Sequence, residues 1–147
     1  MSHGNVEYLE HMTDAYVRIR GRNLEEAFEY AGKGLVGIMY DIESVKTNRQ
    51  VLITAEGIEL ENLLFDWLEK ILLIMLIDKL IMSEFKVKII HDGKSGQYCI
   101  RGFGKGEQIN PHRHELKVEI KGITYHEMKI VENKDEDQVI VEYIVDL

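Results

Sequence analysis

The amino-acid sequence predicts an α+β domain in which two main helices pack on a largely antiparallel β-sheet. Three observations carry that prediction. Apolar residues recur at three-and-four spacing in two early stretches, from Asn23 to about Asp41 and from about Glu59 to Leu80. From Ser83 onward the apolar period falls to two. A chain of 147 residues with one proline, no repeat and no low-complexity tract offers no internal linker. A single domain over 1–147 is therefore expected, and that size can bury a core without staples. Helices first and antiparallel strands after is the α+β arrangement.

Each element has its own justification. Residues 5–20 read as a strand, because Val6, Tyr8, Ala15, Val17 and Ile19 alternate in part and Gly21 closes the segment. Asn23 then offers a helix N-cap, with Glu25 and Glu26 in the first turn where carboxylates oppose the helix dipole. Leu24, Ala27, Phe28, Ala31, Leu35, Ile38 and Met39 make one apolar face. Gly32, Gly34 and Gly37 each weaken that helix by about 1 kcal/mol relative to alanine, so their clustering implies close packing against a neighbour. Ser44 to Glu56 reads as a second strand with Val45, Val51 and Ile53 inward. The second helix carries a buried stripe from Leu60 through Leu63, Leu64, Trp67, Leu68, Ile71, Leu72 and Met75 to Leu76. Its apolar run Ile71–Ile77 falls far short of the about 20 residues a bilayer span needs, and charges flank it, so no membrane segment is expected.

The remainder reads as strands. Phe85–Ile89 and Gln97–Phe103 form a hairpin across a polar turn, His91–Gly96. Leu116–Ile123, Tyr125–Val131 and Val139–Val145 follow, the last two joined by a loop over Glu132–Gln138.

Composition narrows the function. The net charge of −8 disfavours tight nucleic-acid binding by this chain alone, since phosphate neutralisation supplies most of such affinity. The basic residues between Asn110 and Lys121 are interrupted by Glu115 and Glu119 and read as a solvated face. The lone Cys99 cannot form an internal disulfide, and with no leader visible it reads as a reduced, structural thiol of a cytoplasmic protein. Gly93-Lys94-Ser95 is not a phosphate-binding loop, because Lys88 stands where that motif needs glycine. Gly102-Phe103-Gly104-Lys105-Gly106 lacks a strand-to-helix crossover and reads as a flexible strand end. His112 and His114 would share a face if they lay on a strand, and with His126 they form a weak zinc candidate against the commoner reading of solvent-facing loop histidines. Alternation places Lys121, Ile123 and Tyr125 on one face and Thr124 and His126 on the other.

The ends carry the sharpest signal. His11-Met12-Thr13-Asp14 sits on the first strand-like segment, and the alternating run from Val139 finishes on Asp146-Leu147. Two carboxylates and a main-chain terminus brought together would supply the oxygen ligands that hard divalent cations prefer.

These segments resemble the archease family over nearly the whole chain. The resemblance rests on Glu10-His11-Met12-Thr13-Asp14, Leu24-Glu25-Glu26-Ala27-Phe28, Leu63-Leu64-Phe65-Asp66-Trp67-Leu68, Gly106-Glu107, His114-Glu115, Lys121-Gly122-Ile123-Thr124-Tyr125-His126 and Val145-Asp146-Leu147. The block around Tyr125-His126 and the final aspartate are its specific parts. One departure is visible. The family usually reads His-Thr-Ala-Asp where this chain has His11-Met12-Thr13-Asp14, so the threonine has moved one place while the aspartate keeps its distance from His11.

The resemblance implies the archease fold and a cytoplasmic, non-enzymatic accessory protein of the GTP-dependent tRNA-splicing ligase. Such a protein promotes ligase guanylylation and multiple turnover. It also implies a divalent cation, calcium first and magnesium or manganese as alternatives, held by Asp14, Asp146 and Leu147. Lys121 matches a lysine of the family's motif with a proposed functional role, and His11, Tyr125 and His126 are further candidates for function or ligase contact. Two other classes stay open: a chaperone-like binding module for RNA-modifying enzymes, and a metal-dependent hydrolase using His11 or His126 as general base.

Overall fold

The computed structural model describes residues 4–9 and 13–147, with Leu9 by its backbone alone. His11 therefore lies outside the described residues. The chain runs β1 (Asn5–Leu9), β2 (Asp14–Gly21), α1 (Leu24–Met39), β3 (Arg49–Gly57), α2 (Leu60–Leu73), β4 (Leu80–His91), β5 (Tyr98–Gln108), β6 (Gly122–Asn133) and β7 (Gln138–Asp146). Two antiparallel sheets result, one of four strands ordered β1-β2-β7-β6 and one of three ordered β3-β5-β4. The helices contact both sheets: α1 packs on β2, β7 and β4, and α2 on β3, β5 and β6.

That position explains why α1 is buried on more than one side. Asn23 caps it by accepting a hydrogen bond from the Glu26 amide at 2.8 Å. Its glycines mark close approaches. A Cβ on Gly34 would sit 3.2 Å from Val17 and Val6 of the larger sheet, whereas one on Gly32 would meet Ile71 of α2 at 3.0 Å. The two helices and the larger sheet are tied by buried polar side chains. Trp67 Nε1 donates to the Phe28 carbonyl at 2.9 Å, and the Tyr143 hydroxyl donates to the Ala31 carbonyl at 2.8 Å. Trp67 also meets Phe85 edge-on, with ring centroids 5.8 Å apart.

Both edges of the smaller sheet are closed by helix side chains. On the β4 edge, Glu29 and Glu25 of α1 accept from the Val87 and Ile89 amides at 2.9 and 2.8 Å. On the β3 edge, Asp66 accepts from the Glu56 amide at 2.9 Å and Lys70 donates to the Thr54 carbonyl at 3.2 Å. Unsatisfied strand edges recruit other strands, so these contacts remove an aggregation template.

The structure corrects several expectations. Residues 5–20 form two paired strands, and the phase of the apolar alternation shows why. Val6, opposite Ile19, packs against the core and Tyr8, opposite Val17, reaches the Gly34 carbonyl of α1, so even positions before the break match odd positions after it. In the Ser44–Glu56 segment the strand begins only at Arg49; Asp41 caps a short helical turn over Ile42–Ser44 first. The second helix is regular to Leu73, and a π turn over Ile74–Asp78 carries it to Lys79, whose φ is 57°. The expected strand Leu116–Ile123 does not form before Gly122. Its chain docks on the end of α1 instead, where the Lys117 amide donates to the Met39 carbonyl at 2.8 Å and its ammonium to the Gly37 carbonyl at 2.6 Å. Helix ends leave such carbonyls without partners, and this segment satisfies them. The Gly102–Gly106 run lies inside β5, where a Cβ on Gly106 would fall 1.7 Å from the Ile81 carbonyl oxygen, so it is a packed strand and no flexible end.

Candidate functional site

β7 is flanked by β2 and β6, and its last residue is the hub of the site. Asp146 lies directly opposite Asp14 on β2 and opposite Gly122 on β6. Opposed residues of an antiparallel pair project to one face with Cβ atoms about 4.5–5.5 Å apart. The two predicted carboxylates thus share a face at one end of the larger sheet. Asp146 is exposed, and Asp14 is half-buried with its Oδ1 shielded from solvent. On the other flank Gly122 leaves room, because nothing lies within 4 Å of where its Cβ would be.

The backbone fixes this arrangement. The Lys121 amide donates to the Asp146 carbonyl at 2.7 Å, and the Leu147 amide donates to the Thr13 carbonyl at 3.1 Å. Leu147 is half-buried and its side chain packs against the core, which holds the main chain beside Asp14.

The neighbouring charges are already engaged. Two rows along the same face, Glu142 accepts from the Tyr16 hydroxyl at 3.0 Å and from Arg18 Nε at 2.6 Å. Arg18 also reaches Glu7 at 3.9 Å. Burial pushes the Glu142 carboxyl up, but the Arg18 and Tyr16 hydrogen bonds outweigh it and hold the group below its ordinary range. Asp14 and Asp146 set like charges directly opposite each other, an arrangement that destabilises a sheet. At about 5 Å two unit charges repel by about 1 kcal/mol in bulk water and about 3 kcal/mol at the effective dielectric of a protein surface. A hard cation between them removes that cost, and two carboxylates with a main-chain oxygen of Leu147 are a donor set calcium or magnesium accepts. Among the described residues no group of three or more His, Cys, Asp or Glu side chains is placed to hold a metal ion. A cation here would keep coordination positions open.

The other candidates scatter. Lys121 is exposed at the foot of β6 and joins the site through its backbone. Tyr125 turns away to α2, stacking on Phe65 with centroids 4.2 Å apart while its hydroxyl accepts from Asn62 Nδ2 at 3.3 Å. His126 is exposed, and its amide donates to Thr124 Oγ1 at 3.1 Å. The expected simple alternation fails because the register of β6 against β7 shifts between Thr124 and Lys129, with Glu127 at a φ of 54°.

One polar cluster escaped the sequence reading. Glu107, at the end of β5, is buried and accepts from the Lys46 amide at 2.6 Å and from Arg113. His114 is buried too, its Nδ1 accepting from the Asn110 amide at 2.9 Å and its Nε2 lying 3.1 Å from Glu107 Oε2. That amide bond assigns the ring proton to Nε2, facing the carboxylate. Burial raises the Glu107 carboxyl, yet the bonds from Lys46, His114 and Arg113 together bring it below its usual value. Both nitrogens of His114 are occupied and His112 is exposed on a turn, so the zinc candidate fails. The usable signal was the pair of short matches at Gly106-Glu107 and His114-Glu115, which the fold brings together.

Two helices packed against two antiparallel sheets, with facing aspartates where the second and last strands meet, define an α+β protein. The archease protein family profile matches residues 6–147, and this chain belongs to that family. It is 40% identical over 124 residues to the archease of Pyrococcus furiosus, covering 84% of this chain and 86% of that one. It is 36% identical over 141 residues to the archease of Methanopyrus kandleri, covering 96% and 98%. The solution structure of Methanobacterium thermoautotrophicum protein 1598 superposes with a TM-score of 0.78 at 28% identity, covering 97% of this chain and 98% of that chain. Among the described residues no helix is long and apolar enough to cross a membrane.

Proposed function

We propose that this chain is an accessory protein of the GTP-dependent tRNA-splicing ligase, acting in the cytoplasm to promote ligase guanylylation and multiple turnover without catalysing the reaction itself. Family membership supports the reading, and the observation that carries it is the pairing of Asp14 with Asp146 across β2 and β7. Asp14, Asp146 and Leu147, through its carbonyl or carboxylate, would hold a divalent cation, calcium first and magnesium or manganese as alternatives. When bound, the cation neutralises the facing carboxylates and offers its remaining coordination positions to the partner. The chain's own part is positional. The Lys121 and Leu147 amides fix the backbone on either side of Asp146, and the exposed Lys121 side chain would be available to the ligase.

The test is a reconstituted ligation assay at limiting ligase. Wild-type protein should raise guanylylation and turnover, and Asp14→Ala and Asp146→Ala should lose that stimulation while keeping the wild-type circular dichroism spectrum. Normal stimulation by both variants would overturn the metal-dependent mechanism. Hydrolysis of GTP by this chain alone would overturn the non-enzymatic reading, and suppression of client aggregation without metal would favour a chaperone-like module.

A further inference from the structure

The open face of the smaller sheet carries a pattern that folding alone does not call for. On β5, the strand at its centre, Gly102, Gly104 and Gly106 are buried toward the core, while Arg101, Phe103 and Lys105 point to the other side. A half-buried strand normally turns its large apolar residue inward. Here the inner positions are glycines shielded by neighbours such as Met82 and Phe85, and the aromatic ring is on the solvent side.

Its surroundings are cationic. Lys105 lies over the Phe103 ring at 5.9 Å. Register places Lys86 and Leu52 directly opposite Phe103, and Lys88 directly opposite Arg101. Leu52 is 63% exposed. Four cations thus share a face with two carboxylates, Glu84 and Glu56, on a chain whose net charge is −8. Hollows of about 580 and about 430 Å³ open on this side, one bordered by Phe103, Lys105 and Lys86 with Glu26, Glu29 and Glu84 at its rim, and the other by Arg101, Cys99 and Ile90 with Glu56. The larger also takes in Tyr30, which carries the Lys33 ammonium 5.3 Å from its ring centroid.

We propose that this face binds a single strand of RNA, a base stacking on Phe103 and phosphates lying against Arg101, Lys105, Lys86 and Lys88. An aromatic ring ringed by cations is how sequence-tolerant single-strand binding is built, because every base has a π face and every nucleotide a phosphate. An acidic peptide fits less well. Peptides add to sheets along an edge through main-chain hydrogen bonds, and both edges of this sheet are occupied by Glu25, Glu29, Asp66 and Lys70. The ligand must lie across the strands. Binding is weak at physiological salt, because the surrounding negative charge opposes it and few phosphates are contacted. The whole-chain charge conceals this local reversal of sign. The site is separate from the aspartate pair.

The test is fluorescence anisotropy with a labelled single-stranded RNA decamer and a duplex of the same length, at low salt. The single strand should bind in preference, with a log–log salt slope of roughly −2 to −3 for three or four phosphate contacts. Phe103→Ala should weaken binding about tenfold and Phe103→Trp should keep it. Arg101→Gln with Lys105→Gln should flatten the salt slope. Asp14→Ala should leave RNA binding unchanged, so failure here and failure of the ligase reading can be told apart. Absence of single-strand binding at low salt, preference for the duplex, or an unchanged affinity in Phe103→Ala would overturn the proposal. Equal binding of a polyglutamate peptide would show an acidic-protein dock instead.

Discussion

Replacing Asp146 by asparagine isolates the electrostatics of the site. The side chain keeps its size, and its exposure means that little packing changes. What disappears is one of two like charges set opposite each other on β2 and β7. At a separation of about 5 Å, Coulomb repulsion lies between about 1 kcal/mol in water and about 3 kcal/mol at an effective dielectric of 20. Exposure of Asp146 favours the lower figure. In chelator, Asp146→Asn should therefore be more stable than wild type by about 1 kcal/mol. For a domain of this size that corresponds to a melting temperature higher by roughly 3 °C. Added calcium should reverse the order. A ligand at one hundred times its Kd stabilises the native state by about 2.7 kcal/mol, or roughly 8 °C. The wild type should gain that and the variant should gain little. Differential scanning calorimetry with and without calcium, magnesium and manganese reads both halves. The reasoning is refuted if wild type does not respond to any of the three cations, or if Asp146→Asn responds as strongly as wild type.

Other outcomes follow from the same contacts. Glu107→Gln should lower stability at neutral pH, where the wild-type carboxylate is ionised and hydrogen-bonded to Lys46, His114 and Arg113. Because the folded carboxyl sits below its ordinary value, the advantage of wild type is complete above about pH 4.3 and shrinks as pH falls through the lower folded value. Urea titrations of both proteins between pH 7 and pH 3 check this, and a gap that widens with acid would contradict it. Trp67→Phe should cost about 1–3 kcal/mol, since it leaves the buried Phe28 carbonyl without its indole donor; chemical denaturation measures it. Replacing Glu25 and Glu29 together by alanine should free the Val87 and Ile89 amides on the β4 edge and raise concentration-dependent aggregation, read by light scattering.

Much of the fold was legible because its signals are local. Asn23 announces a helix start, two stripes announce two amphipathic helices, and the turn after His91 announces a hairpin whose Asp92 side chain binds Lys94 and Ser95. The division into two sheets was not legible, since strand order is set by contacts far apart in sequence. The parity change between Tyr8 and Ala15 was readable in principle and marks the break between β1 and β2. The stretch from Leu116 carried a strand's alternation, but its hydrogen-bonding groups were taken by Met39 and Gly37 at the end of α1. Propensity yields to tertiary context in such places. At the site, Asp14, Asp146 and Leu147 were marked by their carboxylates and by the family resemblance, and the meeting of the two aspartates needed the register of β2 against β7. The bulge in β6 moved Tyr125 to α2, which no alternation rule foretells.

Anomalous diffraction from crystals soaked in manganese bears most directly on whether the facing aspartates form a cation site. A single strong peak at bonding distance from both the Asp14 and Asp146 carboxylates, lost in Asp14→Ala crystals, is the expected result. No peak there, or a peak held by other residues while the two carboxylates stay apart, would contradict the account.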